Sequence, residues 1–169
     1  MKLTVVDPSI RAYRADDRDA VVDLALRAWT PVFASMRGVT GDEIDHLLHG
    51  DDWRVYQRRS VEDTLDNEAM HLWVAHDPDD EGAVVAFVAV TLHVDDAMGQ
   101  IWMLAVDPDA QGRGLGTTLT NFATDWIREA GMRLAMIGTG GDRGHAPARR
   151  AYEKAGYTAL PTVQYLKAL

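Results

Sequence analysis

The sequence predicts an α/β fold with a mixed sheet and helices on both faces. Three stretches carry that expectation. Ala83 to Val94 (AVVAFVAVTLHV) is rich in β-branched residues and apolar at successive positions, as a strand buried on both faces requires. Thr117 to Ala130 places Leu119, Phe122, Ala123, Trp126, Ile127 and Ala130 on one stripe of a helix. Between them, QGRGLG at 111–116 is a tight glycine-rich connection from a strand into that helix.

The remaining elements follow in chain order. Ser9 to Arg14 alternates and reads as a first strand. Asp16 to Trp29 reads as a helix with Val21, Leu24, Ala25 and Ala28 on one face. Thr40-Gly41-Asp42-Glu43 resembles a helix start capped by Asp42 or Thr40. A second helical region then runs to about Leu65, broken near Gly50-Asp51-Asp52. Met70 to His76 is a short strand, and Asp77 to Gly82 a turn. After the central strand, Asp95 to Gly99 turns again, and Gln100 to Val106 is a strand closed by Asp107-Pro108-Asp109. Gly131 stops the amphipathic helix. Arg133 to Ile137 is a strand, Gly138 to Gly144 a polar glycine-rich loop, and Pro147 the first turn of a helix ending at Gly156. Tyr157 to Leu169 reads as strand interrupted at Pro161.

Composition narrows the function. A length of 169 residues, with no repeat or linker, suits a single domain spanning 1–169. The net charge of −9, from 26 acidic and 17 basic side chains, argues against a nucleic-acid partner, which needs a basic face. The same field is compatible with drawing in a cationic substrate, or with solubility alone. The absence of cysteine excludes disulfides, thiolate-bound zinc and thiol catalysis. The 6 histidines are scattered without paired ligand spacing, so no metal is expected. The N-terminus lacks the apolar core of a signal peptide, and the longest apolar run, Ala83 to Leu92, is too short for a bilayer. A cytoplasmic protein without membrane contact is the expectation.

The glycine turn carries the chemistry. Glycines at a helix entrance let backbone N–H groups converge on an anion. A P-loop requires a Lys after its last glycine, and the dinucleotide fingerprint is spaced Gly-x-Gly-x-x-Gly. Here no Lys follows Gly116, and the spacing is Gly-x-Gly-x-Gly. A plain strand-to-helix connection is the other reading of the turn.

Two motifs together resemble the GCN5-related N-acetyltransferase (GNAT) family. Gln111, Gly114 and Gly116 match its motif A, Gln/Arg-x-x-Gly-x-Gly/Ala. Ala148, Tyr152, Gly156 and Tyr157 match its motif B, with His145 where Asn is usual. The resemblance runs from about Val84 to Leu169, and the N-terminal half matches only in layout.

The resemblance implies a mostly antiparallel sheet with a central, splayed parallel strand pair. It also implies acetyl-CoA as co-substrate and acetyl transfer to a primary amine by direct attack in a ternary complex. Gln111, Gly112, Gly114, Leu115, Gly116 and Thr117 would hold the pyrophosphate, and Arg113 would either add a charge contact there or simply be solvated. Backbone groups near Leu104 and Val106 would pair with the pantetheine arm, and His145 and Tyr152 would complete the donor site.

Tyr152 is the candidate general acid, because a phenol with pKa about 10 can protonate a thiolate with pKa about 8.5. Taken alone it reads as a core aromatic beside Ala148, Ala151 and Ala155, and the preceding motif A turns the reading toward the site. Where many relatives place a Glu base, this chain has Gln100. His93, Asp95, Asp96, His71 and His145 remain as candidate bases. His145 reads either as base or as a replacement for Asn at the helix entry.

The acceptor site is expected from the N-terminal helices, with Trp29 and Phe33 four apart, from the Asp95–Gly99 loop and from the C-terminal strands. A small-molecule amine is the expected acceptor. Leu134-Ala135-Met136-Ile137-Gly138 carries no Glu, which weighs against a peptide N-terminal acceptor. A protein acetyltransferase and a non-catalytic acyl-CoA-binding domain are the alternatives. Homodimers are common in the family.

Overall fold

The computed structural model describes residues 10–77 and 80–169. Five strands form one sheet in the order β1-β2-β3-β4-β5. They are β1 (Ile10–Ala12), β2 (His71–Asp77), β3 (Asp80–His93), β4 (Met98–Val106) and β5 (Leu134–Ile137). The first three junctions are antiparallel, and β4 pairs with β5 in parallel. The helices are α1 (Arg18–His49), α2 (Trp53–Asp66), α3 (Leu115–Glu129) and α4 (Ala146–Lys154). Among the described residues, no helix is long and apolar enough to cross a membrane.

The alternation of the central strands sorts the core into two layers. Val74, Phe87 and Ala105 face α1 and α2, against Val21, Val22, Leu24, Ala25, Val61 and Leu65. Ala75, Ala86, Val88, Val90 and Val106 face the other way, against Leu119, Ala123 and Ile127 of α3. This two-sided burial is why β3 reads as a continuous apolar run.

A β-bulge in β4 shapes the sheet at the point that matters. Ala89 pairs with Met103 and Val90 with Ile101, so Trp102 is an extra residue. The insertion flips side-chain parity, letting both Ile101 and Val106 enter the α3 core although they lie an odd number of residues apart. β5 pairs with β4 only from Met98 to Ile101. Among the described residues no strand lies on that side of β4 from Trp102 onward, and the parallel pair is splayed.

The sequence expectations hold for β2 to β5, α3 and α4, within a few residues. Two helical regions meet expectation with differences. α1 runs past Trp29 and through Pro31, and changes direction at Gly41 (φ 79°), where the sequence places a fresh start. The break at Gly50-Asp51-Asp52 is present, with the Asp52 carboxylate accepting from the Arg54 N–H at 2.9 Å. Ser9, Pro78 and Asp79, parts of an expected strand and turn, lie outside the described residues.

One expectation fails. Residues 157–169 form no strand. The Tyr157 hydroxyl is hydrogen-bonded to Thr124 Oγ1 at 2.7 Å, and beyond it Leu160, Val163 and Tyr165 are exposed. Pro161 offers no N–H to a ladder, and residues 157–169 pair with none of the described strands.

Candidate active site

A cavity of about 720 Å³ opens where β4 and β5 part. Its floor is β4 from Gln100 to Val106, and its walls come from α1, the glycine turn, the end of β5 and α4.

The end of β4 is fixed first. Asp107 is buried, and Arg27 of α1 donates to its carboxylate, with Nη1 to Oδ1 at 3.1 Å. The same carboxylate accepts from the Asp109 N–H at 3.0 Å, shaping the Asp-Pro-Asp turn. Gln111 then donates its side-chain amide to the Val106 carbonyl at 3.0 Å. The Asp107 N–H pairs with β3, at the Val85 carbonyl. Alternation therefore turns the backbone groups of Leu104 and Val106 toward the strand-free edge.

The turn ends in a helix that no side chain caps. Gly112 and Gly114 have φ of 78° and 83°, which would cost another residue about 1–2 kcal/mol each. The N–H of Thr118 closes the first helical bond, to Gly114. The N–H groups of Leu115, Gly116 and Thr117 thus have no helical acceptor, and all three residues line the cavity. With the helix dipole behind them they form a site for an anion.

The residues picked from sequence separate clearly. Leu104, Val106, Gln111, Gly112, Gly114, Leu115, Gly116, Thr117, His145 and Tyr152 all line the cavity. Arg113 does not; its guanidinium lies 3.3 Å from Asp77, across the turn. Of the five candidate bases only His145 is at the cavity. His93 instead contacts Gln100 Oε1 at 3.2 Å, and His71 packs on Trp73 and Trp126. Trp29 lines the cavity, whereas Phe33 is buried in a stack with Trp53 at 4.4 Å. Neither the Asp95–Gly99 loop nor the chain after Gly156 reaches it.

Among the described residues, the ionisable ones lining the cavity are His145, Arg150 and Tyr152, and none that borders it carries a carboxylate. The Tyr152 hydroxyl makes no hydrogen bond among the described residues, and burial, then the charge of Tyr157, pushes its pKa up to about 12. His145 Nδ1 meets the carboxylate of Asp142. Burial alone would raise the Asp142 carboxyl, but hydrogen bonds from Ser35, His145 and the Gly144 N–H hold it below the ordinary carboxylate range. No group of three or more His, Asp or Glu among the described residues is arranged to hold a metal ion.

Sequence reasoning missed three residues here. Gln57 of α2 is buried yet borders the cavity, where a Gln on a helix is ordinarily solvated. Ser35 and Asp142 are joined by a 2.6 Å hydrogen bond across 107 positions, a pairing without any local signal.

The model of the acetyltransferase (GNAT) family matches residues 40–157. A mycothiol acetyltransferase from Beutenbergia cavernae is 44% identical over 90 residues, covering 53% of this chain and 29% of that protein. Another, from Actinosynnema mirum, is 31% identical over 152 residues, 88% of this chain and 44% of that protein. The matched region therefore spans less than half the length of either relative. The fold is also that of the PaiA N-acetyltransferase from Thermoplasma acidophilum, solved in complex with coenzyme A, at a TM-score of 0.64 and 14% identity over 91% of each chain.

Proposed function

The chain belongs to the acetyltransferase (GNAT) family, and from that premise we propose that it transfers the acetyl group of acetyl-CoA to a primary amine of a small molecule. One observation carries the reading. The free N–H groups opening α3, the unpaired edge of β4, Tyr152 and His145 border a single cavity of about 720 Å³.

Each part has a chemical use. Leu115, Gly116 and Thr117 N–H groups receive the pyrophosphate, and Gly112 and Gly114 give the turn its path. The Leu104 and Val106 backbone pairs with the pantetheine amides in the manner of an added strand, and a neighbouring N–H polarises the thioester carbonyl. His145 Nε2 takes one proton from the ammonium, and the neutral amine that results attacks the thioester carbon. As the carbon–sulfur bond breaks, Tyr152 donates its proton to the departing sulfur, and the phenolate takes the second proton from the new amide nitrogen. With its pKa pushed up to about 12, Tyr152 keeps that proton throughout the neutral range.

The acceptor enters along α1 and α2, where Trp29, Val32 and Gln57 border the cavity. A small-molecule acceptor is favoured over a peptide because both relatives above are named for a small thiol, mycothiol. Millimolar acetyl-CoA is expected to raise the melting temperature, and a free-CoA release screen across amines, amino acids, aminoglycosides and peptides to find the acceptor. An unchanged melting curve together with no CoA release from any amine would overturn the reading.

A further inference from the structure

We infer that Asp142, braced by Ser35 of α1, is a positioning residue that holds His145 in the tautomer with its proton on Nδ1, leaving Nε2 as a lone-pair base toward the cavity. The inference deepens the transferase reading and rests on it for the identity of the proton that is moved.

The partners of the Asp142 carboxylate argue for where the proton sits. Asp142 Oδ1 meets His145 Nδ1, and Oδ2 accepts from Ser35 Oγ at 2.6 Å and from the Gly144 N–H at 3.0 Å. An ionised carboxylate only accepts, so the imidazole nitrogen facing it carries the hydrogen. A neutral imidazole has one N–H, and Nε2 is then unprotonated. Nε2 has no protein partner among the described residues, and His145 lines the cavity.

The surroundings are built to keep this pair. Arg149 of α4 donates to the carbonyls of Gly140 and Asp142 at 2.6 and 2.8 Å, pinning the loop from behind. Gly140 lies so close that an added Cβ would sit 2.4 Å from His145 Nδ1 and 2.5 Å from Asp142 Oδ1. Asp142 meets the ring, Arg149 of α4 holds its loop, Arg150 and Tyr152 of α4 border the same cavity, and α1 brings the Ser35 hydroxyl to Asp142. The arrangement has the logic of an imidazole oriented by a carboxylate in nucleophilic hydrolases, applied here to an amine proton.

The test has two independent readouts. Long-range ¹H–¹⁵N spectra of the wild-type protein should place the neutral His145 proton on Nδ1, with or without acetyl-CoA. Asp142→Asn should lower kcat by on the order of 100-fold or more while KM for acetyl-CoA and the acetyl-CoA melting shift stay within about two-fold of wild type. Ser35→Ala, which leaves the Asp142–His145 bond in place, should lower kcat by about 3–10-fold and serves if Asp142→Asn fails to fold. A wild-type His145 protonated on Nε2, or undiminished kcat in either folded variant, overturns the inference. Absence of CoA release by the wild type for every amine would instead sink the transferase reading, and the tautomer spectrum would still decide the geometry.

Discussion

Two glycine-rich segments border the same cavity and use their glycines in opposite ways. In 111–116 the glycines free backbone donors: Gly112 and Gly114 take left-handed φ, and α3 opens without a capping side chain. In 138–144 the backbone is tied down. The Gly144 N–H goes to Ser35 and Asp142, the Gly140 carbonyl goes to Arg149, and Gly140 lacks a side chain because the Asp142–His145 contact fills that space. One segment leaves main-chain N–H groups open to the cavity, and the other holds two side chains in a fixed relation. On the proposed function, similar composition encodes a binding element and a positioning element, and the partners of the N–H groups tell them apart.

The largest expected effect breaks the first segment. Gly114→Asp forces a left-handed φ on a side-chain-bearing residue and sets a carboxylate at the site of the pyrophosphate. Apparent acetyl-CoA affinity should fall at least about 100-fold. Ligand at 100 times Kd stabilises by about 2.7 kcal/mol, and that increment should vanish from the melting curve. A retained shift would mean that the turn does not bind the donor.

Breaking the second segment should give the complementary phenotype. Gly140→Ala drives a methyl group into the Asp142–His145 contact. Turnover should fall about 10–100-fold with the acetyl-CoA melting shift kept. Loss of the shift as well would mean that the two segments act as one binding surface. The contrast between these two variants, measured by calorimetry and CoA release on the same preparations, tests the division of labour directly.

Tyr152→Phe should act between these extremes, since it removes one proton donor and leaves the ring in place. A drop in kcat of about 10–100-fold with unchanged acetyl-CoA affinity is expected. The pH dependence has a definite sign. Burial raises the Tyr152 pKa to about 12, so the protonated phenol persists beyond the ordinary value of about 10. No loss of activity from its ionisation should occur below about pH 11. For the fold, a raised phenol contributes stability that is complete below pH 10 and disappears as pH rises through 12. An alkaline loss of kcat near pH 9 that disappears in Tyr152→Phe would contradict this.

How far these segments could be read from sequence differs for the same physical reason. The first is local: strand, turn and helix are contiguous, so spacing and periodicity specify which N–H groups are free. Only Arg113 misled, because a charge beside an anion site reads as a ligand until its pairing with Asp77, 36 positions earlier, is known. The second segment is non-local. His145 was legible by its place in the motif, but Ser35 is brought to Asp142 only by α1 continuing through Pro31, where local rules end a helix. Gln57 likewise reaches the cavity through tertiary packing alone. The chain after Tyr157 failed in the reverse direction, since its alternation suits a strand and no strand forms there.

The smallest effect separates bystander from ligand inside the first segment. Arg113 is half-exposed, and its 3.3 Å approach to Asp77 is a surface pair, worth at most about 1 kcal/mol. Arg113→Ala should shift stability by no more than that and change apparent acetyl-CoA affinity less than about three-fold, with the difference fading above 0.5 M salt as screening removes long-range attraction. A loss of ten-fold or more would mean that donor binding pulls Arg113 away from Asp77 to the phosphates. The backbone N–H groups would then share the anion with a side chain, and the contrast between a main-chain binding turn and a side-chain positioning loop would be weaker than the Arg113–Asp77 contact indicates.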